Sequence, residues 1–225
     1  MKLNYQCILA SKSPRRQQLL NALGVDFSVK TKEIDESFPS HLVAQEIPLY
    51  LSEIKSQCFE EELHQPNNLV ITADTIVWIN NKVLNKPTNF DEAVSMLEVL
   101  SGNMHQVFTA VCLKSQKKTH SFYTTTKVYF KKHSLEQIQQ YVNAYQPYDK
   151  AGGYGAQEWL PVGMNPCSLK EIDFLTKLNR LDIIESSKTK RDALVAPVEV
   201  ERIEGSYFNV MGLPLVELAD ELTNF

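Results

Sequence analysis

Residues 69–79 read Leu-Val-Ile-Thr-Ala-Asp-Thr-Ile-Val-Trp-Ile, and this stretch constrains the fold more than any other. Leu69 to Ala73 is a short apolar run rich in β-branched residues, the pattern of a buried strand. The run ends on Asp74, and a second apolar run, Thr75 to Ile79, follows at once. A carboxylate at the end of a buried strand sits where α/β proteins place their chemistry, in the crevice outside the sheet. On its own, such an aspartate is more often a turn or cap residue, and the neighbouring segments decide between the two readings.

Those segments alternate between strand and helix patterns. Cys7 to Ala10 reads as a first strand, and a helix follows in which Ser13 is the N-cap, Pro14 the first residue and Gly24 the stop. Arg15 and Arg16 then fall in the first helical turn, where the helix dipole disfavours cations. Their presence calls for an anion, because a helix N-terminus with two guanidinium forks makes a good phosphate cradle. Val25 to Thr31 is a candidate strand, Glu33, Asp35 and Glu36 form an acidic cluster, and Pro48 to Leu63 reads as a helix bearing Lys55. Asn80-Asn81 is a tight turn joining Thr75–Ile79 to Val83–Leu84 as a hairpin. A helix over 91–100, strands over 107–113 and 121–130, and a capping-box helix from Ser134 come next. Gly152, Gly153 and Gly155 lie within four residues and favour a loop where backbone approaches a ligand. A strand over 198–203, a loop over 204–214 and a short helix over 215–222 close the chain. The alternation gives an α/β fold with a mixed, partly antiparallel sheet flanked by helices.

Composition narrows the function. With 225 residues and a net charge of −4, the chain can build a sizeable core and has no global basic field for nucleic acid. No stretch approaches membrane-spanning length and the N-terminus has no cleavage signature. Cys7, Cys58, Cys112 and Cys167 form no Cys-x-x-Cys pair and read as reduced core cysteines of a cytoplasmic protein. Neither a P-loop nor a Gly-x-Ser-x-Gly elbow occurs. The local cations Arg15, Arg16, Lys55, Lys86 and Lys150, set beside Asp35, Glu36 and Asp74, point to an enzyme acting on an anionic ligand.

Several stretches, in order, resemble the Maf family of nucleoside triphosphate pyrophosphatases. They are Ala10-Ser-Lys-Ser-Pro-Arg-Arg16, Ala73-Asp-Thr75 with Lys86-Pro87, and Leu100-Ser-Gly102 with His105. Further along come Asp149-Lys-Ala-Gly152, Tyr154-Gly-Ala-Gln157 and Ile203-Glu-Gly-Ser-Tyr-Phe-Asn-Val-Met-Gly-Leu-Pro214. The resemblance implies two lobes around a central cleft, and hydrolysis of a nucleoside triphosphate between its α- and β-phosphates. It puts the general base on Asp74 and substrate contacts on Ser11, Arg15, Arg16, Lys55, Thr75, Lys86 and Gln157. It implies a divalent cation, magnesium or manganese, with Asp74, Asp35 and Glu36 as its ligands, and a homodimer. Arg15, Thr75 and Gln157 match the positions of the branch acting on dTTP and UTP. The alternatives are 7-methyl-GTP or another nucleotide as substrate, against which Thr75 and Gln157 argue, and a non-catalytic regulator of septum formation, against which Asp74 with its cationic set argues.

The whole chain reads as a single Maf-like domain. It departs from the family pattern after Gln157, where an insertion runs from about Pro161 to Pro197. Within it Ser168-Leu-Lys-Glu171 is a capping box, and the apolar spacing predicts a helix over 169–185 followed by a polar, mobile stretch over 186–192.

Overall fold

The structure is a computed structural model and describes residue 1 and residues 3–161, 163–186 and 198–225. Its strands are β1 (Gln6–Leu9), β2 (Phe27–Val29), β3 (Asn68–Ile79), β4 (Lys82–Leu84), β5 (Met104–Lys114), β6 (Thr119–Phe130) and β7 (Val200–Glu204). Its α-helices are α1 (Pro14–Ala22), α2 (Glu46–Gln57), α3 (Glu60–Leu63), α4 (Phe90–Leu100) and α5 (Leu135–Tyr145), then α6 (Ala156–Trp159), α7 (Leu169–Lys177), α8 (Asp182–Ser186), α9 (Tyr207–Val210) and α10 (Leu215–Asn224). The strands form one mixed seven-stranded sheet in the order β2-β1-β3-β5-β6-β7, with β4 paired to β3. β1 runs parallel to both β2 and β3, whereas β3–β4 and β6–β7 are antiparallel. The α/β class with a mixed sheet and flanking helices is therefore as expected.

The chain divides into two compact units. The first comprises Met1–Thr75, Phe108–Thr125 and Phe208–Phe225; the second comprises Ile76–Val107 and Thr126–Tyr207. In the first, Ile8, Val70, Phe59 and Leu63 pack together, fixing α3 against β1 and β3. In the second, Phe130 stacks on Trp159 at 4.3 Å, and His105 and Tyr154 meet Phe130 edge-on at 4.8 Å each.

Local signals account for most of the element ends. Ser13 caps α1 through its hydroxyl, Asn89 caps α4 by accepting from the Glu92 amide, and both Ser134 and Ser168 close full capping boxes. The Asn80-Asn81 turn has φ of 51° and 58°, the left-handed pair that a two-residue hairpin needs. Other boundaries moved. β3 is continuous over 12 residues and passes straight through Asp74, so the aspartate is a mid-strand residue and not the end of one. β3 pairs with β1 before Asp74 and with β4 after it, which holds the strand extended across the aspartate, an influence that the local pattern does not carry. The helix expected over 48–63 is two helices, α2 and α3, and Pro48 is the third residue of the first. Likewise the helix expected over 169–185 is broken into α7 and α8 at Asn179, whose φ is 53°. Ser186 ends α8, and 187–192 lie outside the described residues. The loop expected over 204–214 contains α9. Cys7 and Cys112 are buried as expected, while Cys58 is exposed and Cys167 half-buried; all four are free thiols. Among the described residues, no helix is long and apolar enough to cross a membrane.

Candidate active site

The first unit gathers Arg16, Lys55, Asp74 and Thr75, residues 58 positions apart in sequence at their extremes (16 to 74), or 59 counting Thr75. Asp74 projects from β3 and is only 7% exposed. Lys55, near the end of α2, places its Nζ 2.5 Å from Asp74 Oδ1 and 2.8 Å from Glu36 Oε1. One ammonium is thus shared by two carboxylates. Burial raises the pKa of Asp74; Lys55 and then Arg16 pull it back down, and Glu36 pushes it up again. Burial outweighs the cations, so the pKa of Asp74 stays above that of an exposed carboxylate, which makes it the stronger base of the two.

Arg16 resolves the electrostatic conflict at the start of α1. Its Nη1 donates to the carbonyl of Ala73 at 2.7 Å, its Nε to that of Gly212 at 2.8 Å, and its Nη2 to Thr75 Oγ1 at 3.0 Å. Partial negative charge on two carbonyls, with Asp74 nearby, supplies the anion that the first turn called for. Burial lowers the Arg16 pKa, an effect opposed by Asp74. Arg16 therefore ties the N-terminus of α1 to β3 and to the Gly212 turn, and two of its five N–H donors lie outside these three bonds. Gly212 has a φ of 99°, and a Cβ there would lie 3.5 Å from both Arg16 Nε and Thr75 Oγ1. Ser11 is buried between β1 and α1, where its hydroxyl accepts from the Ser13 amide at 3.1 Å. Arg15 is half-buried in the first turn of α1, and its charge helps to lower the Arg16 pKa.

Asp35 faces a different partner. Both of its carboxylate oxygens accept from Ser37, one from the amide at 2.9 Å and one from the hydroxyl at 2.8 Å, and these bonds lower its pKa. Among the described residues, no three His, Cys, Asp or Glu side chains are grouped to hold a metal ion. Asp74 and Glu36 do converge on one cation, the Lys55 ammonium. Two carboxylates around a cationic centre suit magnesium, which takes one or two protein carboxylates and fills its remaining positions with water and phosphate oxygens.

Lys86 and Gln157 belong to the second unit. Lys86 is exposed, and the segment carrying it is fastened by the Gly152 amide, which donates to the Asn85 carbonyl at 3.1 Å. Gln157 is half-buried on α6. The next residue, Glu158, was missed by sequence reasoning. It is buried, accepts from the Tyr141 hydroxyl, and lies 3.7 Å from Lys150 Nζ. Tyr141 also accepts from the Gly155 amide at 3.1 Å, so this cluster holds the glycine-rich loop and α6 together. No local pattern announces a buried Tyr–Glu–Lys cluster; only the apolar surroundings of Glu158 in sequence hinted at it. His105, from the Leu100–His105 stretch, sets its Nε2 2.7 Å from the Tyr154 hydroxyl. Burial pushes its pKa down to about 3, leaving the ring neutral at ordinary pH and a part of the aromatic core.

Gly155 is required for space, since its φ of −107° suits any residue. A Cβ there would lie 2.8 Å from the Glu158 carboxylate, which Tyr141 and Lys150 hold in place. Gly155→Ala is expected to cost about 1–3 kcal/mol as an overpacking change. A thermal melt checks it: the midpoint falls by about 2–4 °C per kcal/mol in a chain of this size, and in a Glu158→Ala background, itself less stable, the further loss from Gly155→Ala is expected to be smaller than in the wild type.

The family model "Maf-like protein" matches residues 6–165, and the chain belongs to the Maf-like protein family. Its curated relatives are more specific. A dTTP/UTP pyrophosphatase of Bacteroides thetaiotaomicron is 42% identical over 219 residues, which is 97% of this chain and 95% of that protein. Proteins of the same name from Parabacteroides distasonis and Cytophaga hutchinsonii are 39% and 41% identical, covering 98% and 97% of this chain and 96% and 84% of theirs. Among solved structures, a HAM1 protein from Coxiella burnetii matches 56% of this chain and 73% of its own with a TM-score of 0.41 and 12% identity.

Proposed function

We propose that the protein is a nucleoside triphosphate pyrophosphatase that hydrolyses dTTP and UTP to the monophosphate and pyrophosphate. The observation that carries this reading is the Asp74–Lys55–Glu36 arrangement on a continuous strand, in a chain about 40% identical to dTTP/UTP pyrophosphatases over nearly its full length. Water is a poor nucleophile, so a base must take its proton as it attacks the α-phosphorus. Asp74 is that base: its oxygen takes the proton, the new P–O bond forms at the α-phosphorus, and the bond to the bridging oxygen breaks to release pyrophosphate. Lys55 opposes the rise in the Asp74 pKa that burial causes and so favours the ionised form that the transfer needs. About four negative charges on the triphosphate need fixed cations around them. Ser11, Arg15, Lys55 and Lys86 serve as phosphate contacts, with Arg16 acting through its remaining donors and through its hold on α1.

Gln157 and Thr75 select the base, since Gln157 offers both a donor and an acceptor to a pyrimidine edge. Asp74 and Glu36, with Asp35 on the same segment as Glu36, are the donors for a divalent cation such as magnesium or manganese. When bound, that cation supplies charge neutralisation at the phosphates. The chain works as one domain in the cytoplasm, where nucleotide pools are found, with 161–197 as an insertion that follows the Gln157 helix in sequence.

The test is pyrophosphate release with magnesium from a panel of dTTP, UTP, CTP, dATP, GTP and 7-methyl-GTP. Turnover confined to dTTP and UTP is expected. Preference for 7-methyl-GTP would keep the reaction and overturn the base assignment, and no turnover of any nucleotide would overturn the enzyme.

A further inference from the structure

Thr109 lies on β5, wholly buried, and none of the stretches that carry the family resemblance includes it. Its hydroxyl donates to the carbonyl of Asn209 at 2.8 Å and lies 2.9 Å from the hydroxyl of Thr75, which in turn accepts from Arg16 Nη2 at 3.0 Å. The direction of every bond in this row follows from the two ends. A guanidinium has only donors, a carbonyl has only acceptors, and each hydroxyl has a single proton. Thr109 spends its proton on Asn209, so it meets Thr75 as an acceptor and Thr75 donates to it. The row runs Arg16 to Thr75 to Thr109 to Asn209, each bond polarising the next. Thr75, partly exposed on β3, has its proton turned inward and offers a ligand only a lone pair and a methyl group.

We propose that Thr109 is a specificity-determining positioning residue, which takes up the proton of Thr75 and so makes Thr75 an acceptor-only contact for the base. An acceptor at that point favours a ring that presents a donor, the imide N–H of uracil or thymine, over cytosine, whose ring nitrogen at the same place is itself an acceptor. This rests on the reading that Thr75 takes part in base selection. Thr75 alone does not achieve the discrimination, since a hydroxyl free to rotate serves either ring by turning its proton. Thr109 removes that freedom.

The experiment measures kcat/KM for UTP and for CTP in the wild type, Thr109→Val, Thr109→Ala and Thr109→Ser, each with a thermal melt. Valine keeps the shape and removes the hydroxyl; alanine removes it with less bulk, so a failure of one to fold leaves the other to decide. The UTP-to-CTP preference is expected to fall about tenfold in both, in line with the loss of one well-placed hydrogen bond, and to return in Thr109→Ser. A preference unchanged in the valine and alanine variants, whatever their melting points, overturns the role of Thr109. A wild type with no preference for UTP over CTP overturns the base-selection reading beneath it, and this separates the two failures.

Discussion

Asp74→Asn is expected to lower kcat for dTTP and UTP by about 10²–10⁴-fold, the usual contribution of a positioned general base. Asparagine keeps the size and one oxygen of the side chain, so β3 is undisturbed. Lys55 retains Glu36 at 2.8 Å as its ion partner. A melt at ordinary pH then separates loss of base from loss of fold: turnover disappears while the midpoint stays near that of the wild type. The pH profile of the wild type carries a second mark of the same group. A base works only when deprotonated, so turnover falls as pH falls through its pKa. Burial raises the pKa of Asp74, and the acid limb therefore begins at higher pH than it would for an exposed carboxylate. Lys55 is the strongest influence lowering that pKa, and Lys55→Met should move the limb further up as well as reduce the rate. The triphosphate titrates in a nearby range, but identically for both proteins, so the difference between their limbs reports on Asp74. An acid limb that Lys55→Met leaves in place would argue that another group is the base.

Glu171→Ala is expected to destabilise the protein by about 3–5 kcal/mol, the scale of stripping a buried, hydrogen-bonded carboxylate from its partners. Read from sequence, Glu171 is the N3 residue of a capping box, and losing such a cap costs about 1 kcal/mol. The structure gives it more to do. Glu171 is 1% exposed, and besides the Ser168 amide and hydroxyl at 2.8 and 2.9 Å it accepts from the Ser206 hydroxyl at 2.7 Å and the Tyr207 amide at 3.2 Å. Alanine leaves those four donors without this acceptor in a buried place. Denaturant unfolding of Glu171→Ala beside Ser168→Ala decides the point, because Ser168→Ala removes the cap and leaves the bonds to Ser206 and Tyr207. Equal losses near 1 kcal/mol would mean that the carboxylate is only a local cap.

Glu171 illustrates how far the sequence could be read. Its capping box, that of Ser134, the Ser13 N-cap and the Asn80-Asn81 turn were all legible, because a cap or a two-residue turn is settled by groups within about four positions of one another. The family stretches were legible for a similar reason: Asp74 and the arginines stand in recognisable local company, whereas Lys55 lies in none of those stretches. Boundaries that depend on partners from elsewhere were not. Asp74 looked like the end of a strand because a charged residue interrupts the apolar run. β3 continues because its neighbours in the sheet hold it extended and because Lys55 meets the charge. The helix over 169–185 looked unbroken because its leucines keep helical spacing, whereas Asn179 turns left-handed and ends it.

By itself, then, the sequence determined the α/β class, the hairpin and the caps, and it named the residues proposed to carry the chemistry. Tertiary structure alone decided what those residues do to one another. Arg16 is bound to Gly212, 196 positions away, and Thr109 to Asn209, 100 away. Such bonds form only after the sheet has brought distant segments together, and the burial that shifts Asp74 exists only in the folded chain. A local pattern records which groups are present; their protonation and the direction of their hydrogen bonds depend on neighbours that the fold supplies.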